Sequence, residues 1–308
     1  MGESAALLCD EDDASCVRFS LTDVAQLHQA PADSDEDDYV RKLEARDSVF
    51  SPQRQEIFSS RRDCFSHARS DAIRWILRTK FCFGFSFRTA YLAVTYFDRF
   101  LAQRSIGKGK PWAVRLLSLA SVSVAAKMEE CSVPTLVDLQ SDGFSFDASS
   151  VQRMELLLLD TLQWRMNSVT PFDYFTYFVS KFQCDSSQEE LLCRAIDFIF
   201  RAIDVINLPA YRSSAIIAAA AILAASSKLY SKETLESKIS TVSMFGSCTE
   251  KEHVFFCYKI MTQDPSKKDD SMRRTSSNTD ASGIATSNSS RNERRKLCLA
   301  DQINWRLP

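Results

Sequence analysis

The sequence predicts an all-α fold of two tandem five-helix units, and three observations support this prediction. Apolar residues recur at helical spacing over most of residues 64–263. The chain has only seven glycines, and no regular hairpin spacing suggests strands. Two helices rich in small apolar residues end in lysine, at Lys127 and Lys228. The two lysines are separated in sequence by about the length of a small domain. We therefore infer that the second unit repeats the first.

Composition and charge argue against several classes of protein. The 308-residue chain has a formal charge of −2, so no overall field favours nucleic acid or membrane as a partner. The longest apolar run, residues 215–225, is too short to span a bilayer. No secretory signal is recognisable, so the ten scattered cysteines are expected to be reduced thiols. The three histidines lie at no ligand spacing, and we expect no metal or cofactor.

Changes in composition divide the chain into four segments. Residues 1–35 carry acidic runs without apolar periodicity, and we expect them to be disordered. Residues 36–168 are predicted to form a short leading helix and the first unit, and residues 169–263 the second unit. Residues 264–308 are rich in Ser, Thr, Asn and Arg, which again predicts disorder.

The helices of the first unit follow from apolar stripes and capping residues. The leading helix presents Tyr39, Val40 and Leu43 on one side. Ser86 is a suitable cap for a helix over residues 88–103. The stripe before it consists of Phe65, Ala68, Ala72, Trp75, Ile76 and Thr79. The remaining signals are Pro111 in the first turn of the small-residue helix, and Asp147 or Ser149 as cap of the next helix.

The second unit repeats this pattern after Thr170-Pro171. A short aromatic segment with Phe172, Phe175 and Phe178 comes first. The apolar spacing then predicts helices over residues 188–207, 211–229, 231–240 and 250–261.

Two charged residues interrupt helices whose pattern is otherwise apolar. Lys127 closes the small-residue helix, and Glu155 precedes the run Leu156–Leu159. A lone charge on a buried helix needs a partner. On the residues alone, the two charges either neutralise each other in the core or face another protein. Glu129 and Glu130 stand at a helix C-terminus, where the dipole disfavours negative charge, so we expect donors for both.

The sequence contains none of the common catalytic motifs. There is no phosphate-binding GxxxxGK[ST] loop, no GxSxG or HExxH motif, and no HRD or DFG kinase signature. The three scattered histidines also provide few candidates for a catalytic Ser–His or Cys–His pair. We therefore expect a non-catalytic chain.

A series of short motifs follows a fixed order through the first unit. They read WIL at 75–77, TAYLAV at 89–94, FDRFL at 97–101, AAKMEE at 125–130, QRMELL at 152–157 and LQWRM at 162–166. Together they resemble the cyclin box, and above all that of plant D-type cyclins. The resemblance implies a regulatory subunit that binds and activates a cyclin-dependent kinase and promotes the G1/S transition.

The same resemblance assigns a role to the two interrupting charges. In cyclins the lysine of AAKMEE and the glutamate of the MELL helix contact the mobile helix of the kinase and its flanking loop. The matching positions here are Lys127 and Glu155. The resemblance therefore favours a surface that faces a partner.

The acidic leader carries a Leu-x-Cys-x-Glu motif at Leu7, Cys9 and Glu11. In an extended strand these three side chains share one face and can fill a groove by peptide addition. The motif is weak by itself, but its setting resembles the retinoblastoma-binding motif of D-type cyclins. It implies a retinoblastoma-related protein as partner and substrate.

Many cyclins bind Arg-x-Leu peptides on their first box helix. The matching positions are Arg69, Ala72 and Trp75, whereas Ala68 and Asp71 depart from the more apolar family pattern. Docking of substrates or of cyclin-dependent kinase inhibitors here is one interpretation. The alternative interpretation for Trp75 is packing in the core, which the sequence favours.

The tail contains basic clusters with two interpretations. They are Arg273-Arg274 before Thr275-Ser276, and Arg291 with Arg294-Arg295-Lys296. They indicate phosphorylation and nuclear import, or else a solvated linker. The resemblance implies a nuclear protein, and an additional cytoplasmic pool is compatible with the sequence.

A cyclin-box protein of the transcription machinery is the rival interpretation. Such a protein would carry a strongly basic face for DNA. The nearly neutral total charge argues against it.

Overall fold

The computed structural model describes residues 36–48, 62–106, 110–139, 145–183, 187–205, 213–226 and 230–263. All regular structure within these ranges is helical, which confirms the predicted class. Within the described ranges, no helix combines the length and the hydropathy that a membrane span requires. The Leu-x-Cys-x-Glu motif, Lys228, the leader and the tail lie outside the described residues.

The described helices comprise a leading helix and two successive groups. The leading helix is α1 (Glu36–Ser48), and the first group comprises α2 (Arg62–Phe83), α3 (Phe87–Gln103), α4 (Pro111–Glu129) and α5 (Ala148–Thr161). A 3-10 helix (Pro171–Tyr174) leads into the second group, which comprises α6 (Phe175–Phe182), α7 (Gln188–Val205), α8 (Ser214–Ala225), α9 (Lys232–Ser240) and α10 (Cys248–Thr262). The order is the predicted one. The boundary assigned after residue 168 stays a prediction.

Each group of helices surrounds one central helix that is rich in small residues. All twelve residues of α8 are buried, and twelve of the nineteen residues of α4 are buried. Alanine and serine side chains let neighbours approach closely, so α3 and α5 pack against α4, while α7 and α10 pack against α8. The small-residue pattern therefore marks the centre of each group.

Capping residues fix where the helices around these centres begin. Ser86 caps α3 and accepts from the Thr89 N–H, and Asp147 caps α5 and accepts from the Ser150 N–H. Between the groups, Thr170 starts the 3-10 helix, and its N–H donates to Asp173 Oδ2 at 2.7 Å. These caps satisfy donors that a helix N-terminus leaves unpaired.

Aromatic side chains join the two groups at the 3-10 helix. The ring of Phe172 lies edge-on to Phe87 and Tyr91 of α3, with centroid distances of 4.5 Å and 5.4 Å. It also contacts Phe175 and Phe200 of the second group. Edge-to-face pairs contribute about 0.5–1.5 kcal/mol each beyond their buried area.

A buried ion pair makes a second connection between the groups. Arg69 of α2 donates through Nε and Nη2 to the two carboxylate oxygens of Asp98 on α3, both at 2.8 Å. Its Nη1 and Nη2 groups also donate to the backbone oxygen of Ile203 on α7, at 3.3 Å and 3.2 Å. Arg69 and Asp98 are almost wholly buried. One guanidinium therefore holds α2, α3 and α7 together.

We predict that Asp98→Ala destabilises the chain strongly, because it leaves the Arg69 guanidinium buried without its carboxylate. Breaking a buried pair in this way costs about 3–5 kcal/mol. Chemical denaturation of the purified chain, followed by far-UV circular dichroism, measures the loss.

The matched control is Asp71→Ala. It breaks the exposed ion pair between Asp71 and Arg74 on α2, the helix that also carries Arg69. Exposed pairs contribute about 0–1 kcal/mol, so this variant should unfold close to the wild type. Equal losses in the two variants would contradict the role given to Arg69.

Candidate functional site

The two charges that interrupt the apolar pattern lie side by side. Lys127, in the last turn of α4, donates through Nζ to both carboxylate oxygens of Glu155 on α5, each at 2.7 Å. Their exposure differs, because the Glu155 side chain is 10% exposed and that of Lys127 is 48% exposed. The two charges thus neutralise each other, as one interpretation required. They do so at the edge of the core, where a partner can reach the ammonium group.

Exposed apolar side chains occur on, or directly after, the two helices that carry this ion pair. Met128 follows Lys127, Leu156 follows Glu155, and Trp164 lies just beyond α5. Their exposed fractions are 55%, 58% and 66%. We call Lys127, Met128, Glu155, Leu156 and Trp164 the α4–α5 surface. Exposed tryptophan and methionine side chains are enriched in protein-binding surfaces.

The backbone at Trp164 is held in an uncommon conformation. Gln163 and Trp164 both have positive φ angles, of 54° and 57°, in the left-handed region. Such angles cost about 1–2 kcal/mol per residue for side chains other than glycine. The Trp164 N–H donates to the Leu159 oxygen at 2.9 Å and closes α5. This turn fixes the backbone of Trp164 against the C-terminal end of α5.

Sequence reasoning assigned no role to Met128, Leu156 and Trp164. A signal was present for Leu156, because four consecutive leucines cannot all face the core of one helix. Leu158 is indeed fully buried, whereas Leu156 is largely exposed. No comparable signal distinguishes an exposed tryptophan from a buried one in the sequence.

Glu129 and Glu130, the last two residues of the AAKMEE motif, find the donors that were expected for them. Glu130 accepts from the Ser86 N–H at 2.8 Å and from the Thr89 hydroxyl, at the start of α3. Glu129 accepts from Arg88 Nε at 2.9 Å. The carboxylates thus leave the unfavourable C-terminus of α4 and meet the favourable N-terminus of α3.

Arg88 extends this network into the second group of helices. Its Nη1 donates to Asp173 Oδ1 at 2.6 Å, so one guanidinium lies between Glu129 and Asp173. Burial raises the pKa of Glu129 above its ordinary value, although Arg88 acts in the opposite direction. The motif therefore has two functions. Lys127 contributes to the α4–α5 surface, while Glu129 and Glu130 fix α4 against α3.

The three predicted docking positions on α2 are buried. Arg69, Ala72 and Trp75 are only 7%, 4% and 6% exposed. Arg69 is engaged with Asp98, and the Arg115 guanidinium lies 4.3 Å from the centre of the Trp75 ring. This arrangement favours core packing for Trp75. Docking of Arg-x-Leu peptides stays a prediction, for which none of the three offers an exposed side chain.

Nothing in the described part of the chain suggests chemistry at a metal. No group of three or more His, Cys, Asp or Glu side chains within those ranges could hold a metal ion. The half-exposed ion pair and the exposed apolar side chains of the α4–α5 surface suit binding.

Comparison with known proteins identifies the family. The model of the cyclin N-terminal domain matches residues 38–167. Cyclin-D5-1 of Arabidopsis thaliana is 38% identical over 267 residues, which cover 83% of this chain and 80% of that relative. Cyclin-D5-2 of Oryza sativa subsp. japonica is 40% identical over 72% of this chain. The chain belongs to the cyclin family, among the D-type cyclins of plants.

The extent of the matches differs among relatives. The matched segments span 64% and 56% of the length of the two rice D5 cyclins. Among solved structures, a viral cyclin from herpesvirus saimiri superposes with a TM-score of 0.57 at 17% identity, over 72% of this chain and 96% of that chain. At that identity the similarity concerns the fold alone. It agrees with the cyclin-box architecture described above.

We predict unequal effects when either charge of the central pair is removed. Lys127→Met leaves the mostly buried Glu155 carboxylate without its donor, which costs about 1–3 kcal/mol. Glu155→Gln leaves an ammonium group that already reaches water, so we expect a loss below about 1 kcal/mol. Urea denaturation of both variants under the same conditions tests the asymmetry. Equal losses would mean that the two charges are equally buried in solution.

Proposed function

We propose that this chain is the regulatory subunit of a cyclin-dependent kinase and performs no catalysis itself. The observation that carries the proposal is the α4–α5 surface, which comprises a half-exposed ion pair and three exposed apolar side chains on or directly after the same two helices. Membership of the D-type cyclins supports the choice of a kinase as the partner. Lys127 and Glu155 are the proposed kinase-binding charges.

The mechanism rests on a rigid scaffold that selects one state of a movable element. In a protein kinase, a mobile helix must lie inward so that its glutamate can pair with the lysine of the ATP site. A scaffold that binds only the inward position shifts the kinase toward its active state. The close packing of α3 and α5 on α4 gives this surface the stiffness that such selection needs.

The apolar side chains and the ion pair contribute in different ways to the proposed kinase interface. Met128, Leu156 and Trp164 are each about half or more exposed. Burying the rest of such side chains contributes on the order of 1–2 kcal/mol each. The Lys127–Glu155 pair contributes orientation, because a misplaced partner would bury charge without a hydrogen bond.

The family also supports a substrate for the kinase complex. We propose that Leu7, Cys9 and Glu11 recruit a retinoblastoma-related protein, so that the bound kinase phosphorylates it and promotes the G1/S transition. Such a role requires access to the nucleus, and the basic clusters of the tail are candidates for an import signal. The rival role in the transcription machinery is disfavoured by the near-neutral charge and by the D-type relatives.

We predict that the double variant Lys127→Glu, Glu155→Lys loses kinase binding while it keeps its fold. The exchange preserves an internal ion pair but reverses the charges that a partner meets. Co-purification with plant cyclin-dependent kinases, followed by a kinase assay on a retinoblastoma-related substrate, should fall at least tenfold.

The control exchanges another partly exposed pair, Arg201 and Asp197 on α7. The variant Arg201→Asp, Asp197→Arg should bind and activate the kinase as the wild type does. Far-UV circular dichroism verifies the helical content of both variants. If the Lys127/Glu155 exchange variant bound the kinase as well as the wild type does, the α4–α5 surface would not be the kinase-binding surface.

We predict that Glu11→Ala weakens binding to a retinoblastoma-related protein at least fivefold and leaves kinase binding unchanged. The matched control is Asp10→Ala, because alternate residues of an extended strand face opposite sides. Pull-down of the purified proteins measures both interactions. If the two variants bound the retinoblastoma-related protein equally well, the leader motif would have no specific role.

A further inference from the structure

One side of α2 carries an excess of positive charge. Arg74 and Arg78 lie one helical turn apart on this side, and both side chains are exposed. Arg115 of α4 adds a third cation, because its guanidinium group lies 4.3 Å from the centre of the Trp75 ring on α2. Asp71 lies on the same side and pairs with Arg74 at 3.0 Å, so it offsets one of these positive charges.

Arg78 and Phe81 present exposed groups to solvent on this side of α2. Arg78 forms no ion pair with any residue that the structure describes. Phe81 follows it by three residues, so the two share a face of the helix, and the phenylalanine is 59% exposed. We call Arg74, Arg78, Phe81 and Arg115 the α2 surface. Arginine and aromatic side chains are enriched in protein-binding surfaces, which favours a partner here.

A basic peptide is a poor ligand for the α2 surface. An Arg-x-Leu peptide would bring a further guanidinium group close to Arg78 and Arg115, and such like charges repel each other. The Trp75 ring is also only 6% exposed, and the Arg115 guanidinium lies against it. A carboxylate, by contrast, accepts charge-assisted hydrogen bonds from arginine. The α2 surface therefore favours an acidic segment that has an apolar residue nearby.

The leader of this chain contains a segment of that composition. Residues 1–35 carry eight carboxylate side chains and one arginine, so their charge is opposite to that of the α2 surface. The run Asp10–Asp13 consists of four consecutive acids, and two leucines closely precede it. We propose that Leu8–Asp13 binds the α2 surface of the same chain, with Leu8 on Phe81 and the acids on the arginines.

The spacing of the segment agrees with the spacing of the α2 surface. In an extended segment, Leu8, Asp10 and Asp12 share one side and together span about 13 Å. Seven residues of helix, about 10.5 Å, separate Phe81 from Arg74. Arginine side chains are long enough to compensate for the small difference. Leu8 can therefore contact Phe81 while the two acids reach the arginines.

The length of the leader allows this intramolecular contact. Asp13 lies 23 residues before Glu36, the first residue of α1. A segment of that length spans about 26 Å as a flexible chain and about 76 Å when extended. A folded region of about 230 residues has a radius of gyration of only about 17 Å, so the segment reaches α2. The other acidic run, residues 33–38, continues into α1, where Asp37 pairs with Lys181.

The contact leaves the Leu-x-Cys-x-Glu motif accessible. Leu7, Cys9 and Glu11 face the opposite side of an extended segment from the residues that contact α2. The inference therefore stands apart from kinase binding and from the recruitment of a retinoblastoma-related protein.

Proteolysis of the full chain by Glu-C, a protease that cleaves after glutamate, tests this contact. Cleavage after Glu11, within the docked segment, is measured by mass spectrometry and normalised to cleavage after Glu3, which precedes that segment. Arg78→Glu reverses a charge of the α2 surface, and we expect it to raise the normalised rate at least threefold. The matched control, Arg153→Glu, changes an exposed arginine of α5 and should leave the rate unchanged.

Circular dichroism and the thermal midpoint verify that Arg78→Glu keeps the fold, so that faster cleavage cannot reflect unfolding. Arg78→Lys retains the charge and should be cleaved at a rate close to that of the wild type. Equal normalised rates in the wild type and Arg78→Glu would overturn the proposal. A wild-type rate that falls as the chain concentration rises would identify a second copy as the source of the segment and would overturn the intramolecular contact. The assay contains neither kinase nor retinoblastoma-related protein, so its outcome is independent of the proposed function.

Discussion

Close approach of helices to α4 is the constraint on which the rest of this structure depends. The residues of α4 that face its neighbours are mainly alanine, serine, valine and leucine, and twelve of them are buried. Small side chains bring α3 and α5 near the axis of α4, so residues at its end meet residues of both neighbours. Lys127 therefore reaches Glu155 on α5, while Glu130 reaches the start of α3. The Lys127–Glu155 pair of the α4–α5 surface and the network around Glu130 both follow from this packing.

The charged side chains of the molecule differ in burial, and we propose recognition only for the most exposed pair. Arg69 and Asp98 are nearly inaccessible and connect three helices. Arg88 is about one-third exposed and links Glu129 to Asp173 across the two groups. Lys127 is the most exposed of these cations, and its partner Glu155 is mostly buried. Because Lys127 is half-exposed, the Lys127–Glu155 ion pair can form within the chain while its ammonium group stays accessible to a partner.

The sequence predicted the helical order well because its signals are local. Helical spacing, the caps Ser86 and Asp147, and the small-residue helices depend on neighbours within a few residues. The connection of Arg69 to Asp98 and Ile203 depends on contacts between distant segments, which no local pattern encodes. For the same reason Arg69 and Trp75 were considered as docking residues, although both are buried. Exposure of Met128 and Trp164 likewise follows from the packing of α4 and α5.

The proposed function requires the α4–α5 surface to hold the movable helix of a kinase in its active position. Amide hydrogen exchange of a plant cyclin-dependent kinase, measured with and without this chain, tests it most directly. Exchange in the mobile helix of the kinase should slow at least tenfold in the complex, and peptides of α4 and α5 should become protected. A stable complex in which that helix exchanges at the same rate as in the free kinase would contradict it.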